Sequence, residues 1–146
     1  MIRREIYTLF FALVTLAFFS SCSDDNDDPK PITKTDLLVA HEWRGDQVLA
    51  AGIDVSNRPE ITGQIGQIKT ARIKFDRDGT YDASFTSSLG EQTQSGNWSF
   101  NNDETKLTFE LLGEVDVKEL TEDKLYLTSQ LPFQGVMFDA EVRFIK

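Results

Sequence analysis

One imidazole and one thiol, His41 and Cys22, leave the chain's 146 residues with a nearly empty inventory for nucleophilic catalysis. A nucleophile needs a base within reach and the base needs an orienting partner. Cys22 lies in "FFSSCSDDNDDP", between an apolar run and four aspartates, and His41 opens "HEWRGD", so no triad can be assembled from them. A tetrahedral metal site fails too, because it draws on several nitrogen or sulfur ligands and His41 has no second histidine or cysteine after it. Oxygen ligands are plentiful, and Asp76, Asp78 and Asp82 in "DRDGTYD" invite a calcium reading. That segment reads first as a turn, and "DDNDDP" lacks the turn glycine and the distant bidentate glutamate of a calcium loop. A glycosidase pair is defined by a separation in space, which 24 scattered acidic residues do not specify. "NWS" at Asn97 fits a glycosylation acceptor but falls inside an expected strand. The residues therefore point away from an enzyme, with no cofactor and no metal.

The charge narrows the partners. The net charge is −9 at neutral pH, and removal of the first 21 residues would make it more negative by one. Such a field repels phosphate backbones, which excludes nucleic acid. A composition of 40% hydrophobic and 11% aromatic residues supports one folded domain with a core. Arg3 and Arg4 precede an apolar run from Ile6 to Phe19. The pattern is that of a secretory signal, and the run is shorter than the roughly 18 residues a spanning helix requires.

The setting of Cys22 completes that pattern. "FFSSC" resembles a bacterial lipobox, with small residues before a cysteine at the signal's end. The resemblance implies a signal peptide over residues 1–21, cleavage before Cys22, and a diacylglyceryl group on its thiol; Phe19 departs from the leucine frequent at that place. Two or three acyl chains give a durable membrane anchor where one does not. Ser23, Asp24, Asp25, Asp27 and Asp28 are similar to the acidic tag that sends some lipoproteins to the outer face of the outer membrane. The resemblance implies an outer-membrane, surface-exposed location, with a periplasm-facing one as the alternative. Residues 22–34 would serve as an acidic tether, of which the stretch from Ser23 to about Thr33 reaches roughly 35 Å if extended.

From Thr33 onward, "TKTDLLVA" suggests a helical turn capped by Thr35 or Asp36, and the remainder alternates with period two. Ala71, Ile73 and Phe75 form one buried face, and Tyr81, Ala83 and Phe85 the next. Keeping both faces inward pairs Phe75 with Tyr81 and Ile73 with Ala83, closing on the loop Arg77, Asp78 and Gly79, whose glycine accepts positive φ. The same reasoning pairs Trp98 with Phe109 and Phe100 with Leu107 across a turn at 102–105. Val115 and Val117 run out of phase with Leu120, which requires an extra residue near Lys118. Phe138, Ala140, Val142 and Phe144 face inward in the last strand. Strands are expected at about 41–51, 70–76, 80–86, 93–101, 106–112, 115–121, 124–131 and 136–146. This is an all-β domain, an antiparallel meander of about eight strands closed as a barrel, with a two-sheet sandwich as the alternative.

Trp43, the hairpin from Phe75 to Tyr81, "GNW" at 96–98 and the segment from Leu120 to Leu127 together resemble the bacterial lipocalin-like lipoproteins over residues 35–146. His41 stands where lipocalins proper carry a glycine. The resemblance implies a barrel with a loop over its mouth, supplied here by Gly52 to Lys69. Ile61, Ile65 and Ile68 of that loop, with Trp43, Phe75, Tyr81, Phe85, Trp98 and Phe109, are the expected ligand-contacting residues. Two functions follow: a small apolar ligand held in the barrel, or a packed core in a structural or accessory protein whose outside binds an envelope protein or glycan.

Overall fold

The computed structural model describes residues 31–133 and 136–146. The signal segment, Cys22 and the acidic residues 23–28 lie outside that range. Ile32–Lys146 forms one compact unit.

Helix α1 spans Lys34–Val39, and its cap is Thr33 rather than Thr35 or Asp36. The Asp36 N–H donates to Thr33 Oγ1 at 3.0 Å while the Thr33 N–H donates to Asp36 Oδ2 at 2.9 Å, a reciprocal capping box with aspartate in the usual glutamate position. There follow β1 (Glu42–Ala50), a two-residue β2 (Ile53–Asp54), helix α2 (Pro59–Ile65), a 3-10 turn at Ile68–Thr70, β3 (Arg72–Phe75), β4 (Thr80–Ser87), β5 (Gly90–Phe100), β6 (Lys106–Phe109), β7 (Gly113–Leu120), β8 (Lys124–Phe133) and β9 (Val136–Ile145).

Every neighbouring pair is antiparallel, and β1 also pairs β9 from Arg44↔Ile145 to Ala50↔Ala140. That pairing closes eight strands into one barrel, with β2 an addition along β1, and removes the two free edges a sandwich would keep. The registers follow the alternation of apolar residues. Phe75 meets Tyr81 and Ile73 meets Ala83. The Gly79 N–H donates to Asp76 O at 3.1 Å, with Gly79 at φ +89°. Trp98 meets Phe109 and Phe100 meets Leu107. In β7 the register shifts between Val117 and Glu119, leaving Lys118 as the inserted residue that brings Val117 and Leu120 to the same side.

The two ends of the barrel are closed differently. At one end α1 lies across the turns between β3 and β4, β5 and β6, and β7 and β8. Arg77 pairs with Asp36 at 2.7 Å, Lys34 Nζ donates to Glu104 O at 2.5 Å, and the buried Trp43 indole N–H donates to Leu38 O at 2.8 Å. At the other end sits the connection from β1 to β3. Because β3 has only four residues, the wall between β1 and the upper half of β4 is missing, and the connection fills it. β2 pairs with Leu49 and Ala50, Ser56 Oγ accepts from the buried Val48 N–H at 2.8 Å, and the Gln67 N–H donates to Thr86 O at 2.8 Å. The 3-10 turn lies so close to β1 that a Cβ on the inward-facing Gly45 would collide with Ile68 O.

Candidate functional site

The nine residues expected to contact a ligand fall into three groups. Trp43, Phe75, Tyr81, Trp98 and Phe109 are buried at the α1 end. Phe75 meets Trp98 and Phe109 edge-on at ring separations of 5.8 and 5.6 Å, and Tyr81 meets Phe109 edge-on at 5.6 Å. Edge-to-face contacts at these separations are favourable aromatic packing. The Trp98 indole N–H donates to Asp76 O at 2.9 Å. This half of the interior is filled by its own side chains.

Ile65, Ile68 and Phe85 line a cavity of about 30 Å³ beneath the connection, together with Ala83, Leu111 and Val142. It is large enough for about one water. Ile61 lines the one space of ligand size among these, a pocket of about 570 Å³ open to solvent, shared with Ala50, Ala51, Ile53, Val55, Arg58, Phe138 and Asp139. Volumes of roughly 300–1,000 Å³ lined by apolar groups with a few polar ones suit small ligands.

Each wall of this pocket has a local cause. Ala50, the last residue of β1, faces Ala140 across the barrel seam. Two small side chains there leave room at the rim that a larger pair would occupy. Phe138 continues the inward series of β9 past Ala140, where the barrel no longer has an opposing wall to cover the ring fully. Ala51 at φ 49° and Gly52 at φ 80° turn the chain back so that β2 and Val55 form the next side. Pro59 starts α2 at its first turn, where a missing N–H costs nothing, and Ile61 then points under the helix and is buried. Asp54 Oδ1 accepts from both the N–H and the hydroxyl of Ser56, at 2.9 and 2.6 Å, which fixes the bend and holds its carboxyl below the usual carboxylate range.

Ala50, Ala51, Ile53, Val55, Arg58 and Phe138 were not legible as pocket residues. Only Phe138 carried a signal, its inward place in the alternation of the last strand. Trp43 and Trp98 line neither cavity, so neither stands ready to report on an occupant.

The chemistry-bearing residues are dispersed. Asp78 accepts from the Thr80 N–H and hydroxyl at 3.0 and 2.6 Å, Asp76 pairs with Lys74 at 3.2 Å, and Asp82 accepts from the Ser95 hydroxyl at 2.5 Å. Each aspartate of "DRDGTYD" thus has its own partner in or beside the hairpin. Among the described residues no three of His, Cys, Asp or Glu converge on a metal-sized space. The His41 ring lies 4.3 Å from that of Trp43 with Nε2 buried and unpartnered, and burial lowers its proton affinity.

No protein-family model matches the sequence, and no curated protein is similar to it by sequence. Solved structures do share its fold. A DUF4847 family protein from Bacteroides vulgatus is 14% identical with a TM-score of 0.55, over 77% of this chain and 96% of that one. Bovine odorant-binding protein with its natural ligand is 16% identical with a TM-score of 0.52, over 82% and 77% of the two chains. The complex of the bovine protein with undecanal is 15% identical with a TM-score of 0.51, over the same shares. In fold, this chain is an eight-stranded lipocalin-like barrel.

Proposed function

We propose that this protein is a non-enzymatic lipoprotein of the cell envelope whose barrel takes a small apolar molecule in the pocket between β1, β2, α2 and β9. The observation that carries the reading is the apolar pocket of about 570 Å³ at the open end of an otherwise filled barrel. The bovine odorant-binding protein of like fold, in complex with undecanal, supports a ligand of that general size and polarity.

The test is direct titration of undecanal and other medium-chain compounds by calorimetry and protein-observed NMR. Shifts should be confined to Ala50, Ile53, Ile61 and Phe138, and Ala50→Trp, which fills the rim, should abolish them. Saturable binding that Ala50→Trp leaves intact would refute the assignment.

The lipobox-like "FFSSC" and the acidic residues after it support acylation at Cys22 and presentation on the outer face of the outer membrane. Cys22→Ser should release the protein from membranes without unfolding it. Replacing Asp24, Asp25, Asp27 and Asp28 with alanine should keep it anchored but protect it from protease added to intact cells. The other reading, an accessory protein that binds an envelope protein or glycan on its outside, has one observation in its favour: Ile53, Val136 and Met137 are exposed apolar side chains near the rim. It gains ground only if no compound enters the pocket.

A further inference from the structure

Charge is distributed unevenly around the pocket. Among the described residues, Arg44 donates to Lys146 O, and Arg72, Arg77 and Arg143 pair with Glu42, Asp36 and Glu141. Arg58 is the arginine without such a partner, although acidic residues outnumber basic ones 24 to 15. It lines the pocket together with Ala50, Ile53, Ile61 and Phe138. The second charged lining residue, Asp139, alternates with the buried Ala140 and so belongs to the outer face of β9, where its carboxylate accepts from Gln130 Nε2 of the paired strand at 3.2 Å. Arg58 is therefore the cationic group of the lining, and the Asp139 carboxylate is held toward Gln130 on the outer face.

We infer that the pocket selects apolar molecules carrying an anionic head group, with Arg58 holding the head and the Ala50, Ile61 and Phe138 side holding the tail. This rests on the pocket's being a ligand site. A guanidinium presents a planar fork of donors that matches a carboxylate, and such charge-assisted bonds are about twice as strong as neutral ones.

The test compares three compounds of one chain length, decanoate, decanol and decylamine, titrated calorimetrically into the full chain and its Arg58→Gln variant at low and high salt. Decanoate should bind about tenfold or more tighter than decanol, the range expected for a hydrogen bond to a charged group, and lose that advantage in high salt. Arg58→Gln, at an exposed position, should remove the advantage by bringing the decanoate affinity down to that of decanol. Arg58→Glu should turn the preference toward decylamine. Equal affinity for decanoate and decanol, or a preference that survives Arg58→Gln, overturns the role of Arg58 and leaves the pocket standing. No binding by any of the three overturns both.

Discussion

Gly63 and Gly66 lie three residues apart in the connection between β1 and β3, yet alanine at the two positions should have effects of opposite sign. Gly66 ends α2 at φ 73° and ψ −168°, a region that only glycine occupies without strain, which costs any other residue about 1–3 kcal/mol. A Cβ there would also stand 2.5 Å from Phe85 Cδ2 and 2.9 Å from Thr86 O. The half-buried Phe85 ring has some room to turn. Thr86 O has less, since it accepts from the Gln67 N–H one residue away and cannot retreat without breaking that bond. Overpacking of this kind adds about 1–3 kcal/mol. Gly66→Ala should therefore destabilise by about 2–6 kcal/mol in total. Gly63 is exposed within α2 with nothing within 4 Å of a Cβ, so alanine there gains helix propensity, about 1 kcal/mol of stabilisation. Urea unfolding followed by tryptophan fluorescence measures both. Heating should separate the pair as well, since 1 kcal/mol moves Tm by roughly 4–8 °C in a domain near a hundred residues. Similar effects at both sites would mean that the connection is a loose strap and not part of the wall.

Three further outcomes follow from the packing. Ser56→Ala leaves the buried Val48 N–H unpaired and should cost about 1–3 kcal/mol in urea unfolding, with faster amide exchange in β2 and α2 than at the α1 end. Gly79→Val forces a β-branched residue to φ +89° in the β3–β4 turn and should destabilise by about 1–3 kcal/mol, again by urea unfolding. The His41 imidazole has its pKa lowered, chiefly by burial and then by Lys146, with Asp123 opposing. The unfolded chain thus binds the proton more readily than the folded one, so this contribution to stability is complete above about pH 6.5 and is lost as pH falls toward the lower folded value. In His41→Phe, thermal melts across that interval should show a shallower fall in Tm; an unchanged slope would show that His41 does not titrate on unfolding.

Alternation made the barrel legible because a period of two admits one register per hairpin: a slip by one residue at Phe75 or Trp98 would turn the whole apolar set to solvent. The same rule exposed the insertion at Lys118, where Val117 and Leu120 could not otherwise share a side. The cap was misplaced because Asp36 looks like a cap by itself, whereas it answers Thr33 from the third helical position. The pocket was hidden for a different reason. Half of its lining, Ala51, Ile53, Val55 and Arg58, comes from a stretch with no periodicity, and it lies beside a gap that opens because β3 stops after four residues, a length that "ARIKFD" does not declare. The aromatic residues drew the expected ligand contacts toward Trp43 and Phe109, yet large rings pack most densely where a barrel is solid. The opening lies where side chains are small.

α1 gives the domain a polarity. The chain enters at Ile32, runs through α1 beneath the filled half of the barrel, and reaches Ala50 at the pocket only after the length of β1, roughly 23 Å from Trp43 at ~3.3 Å per residue. α1 and the pocket are thus at opposite poles of the barrel, so the rim can be reshaped at Ala50 or Ile53 without disturbing the aromatic packing around Trp43 and Phe75.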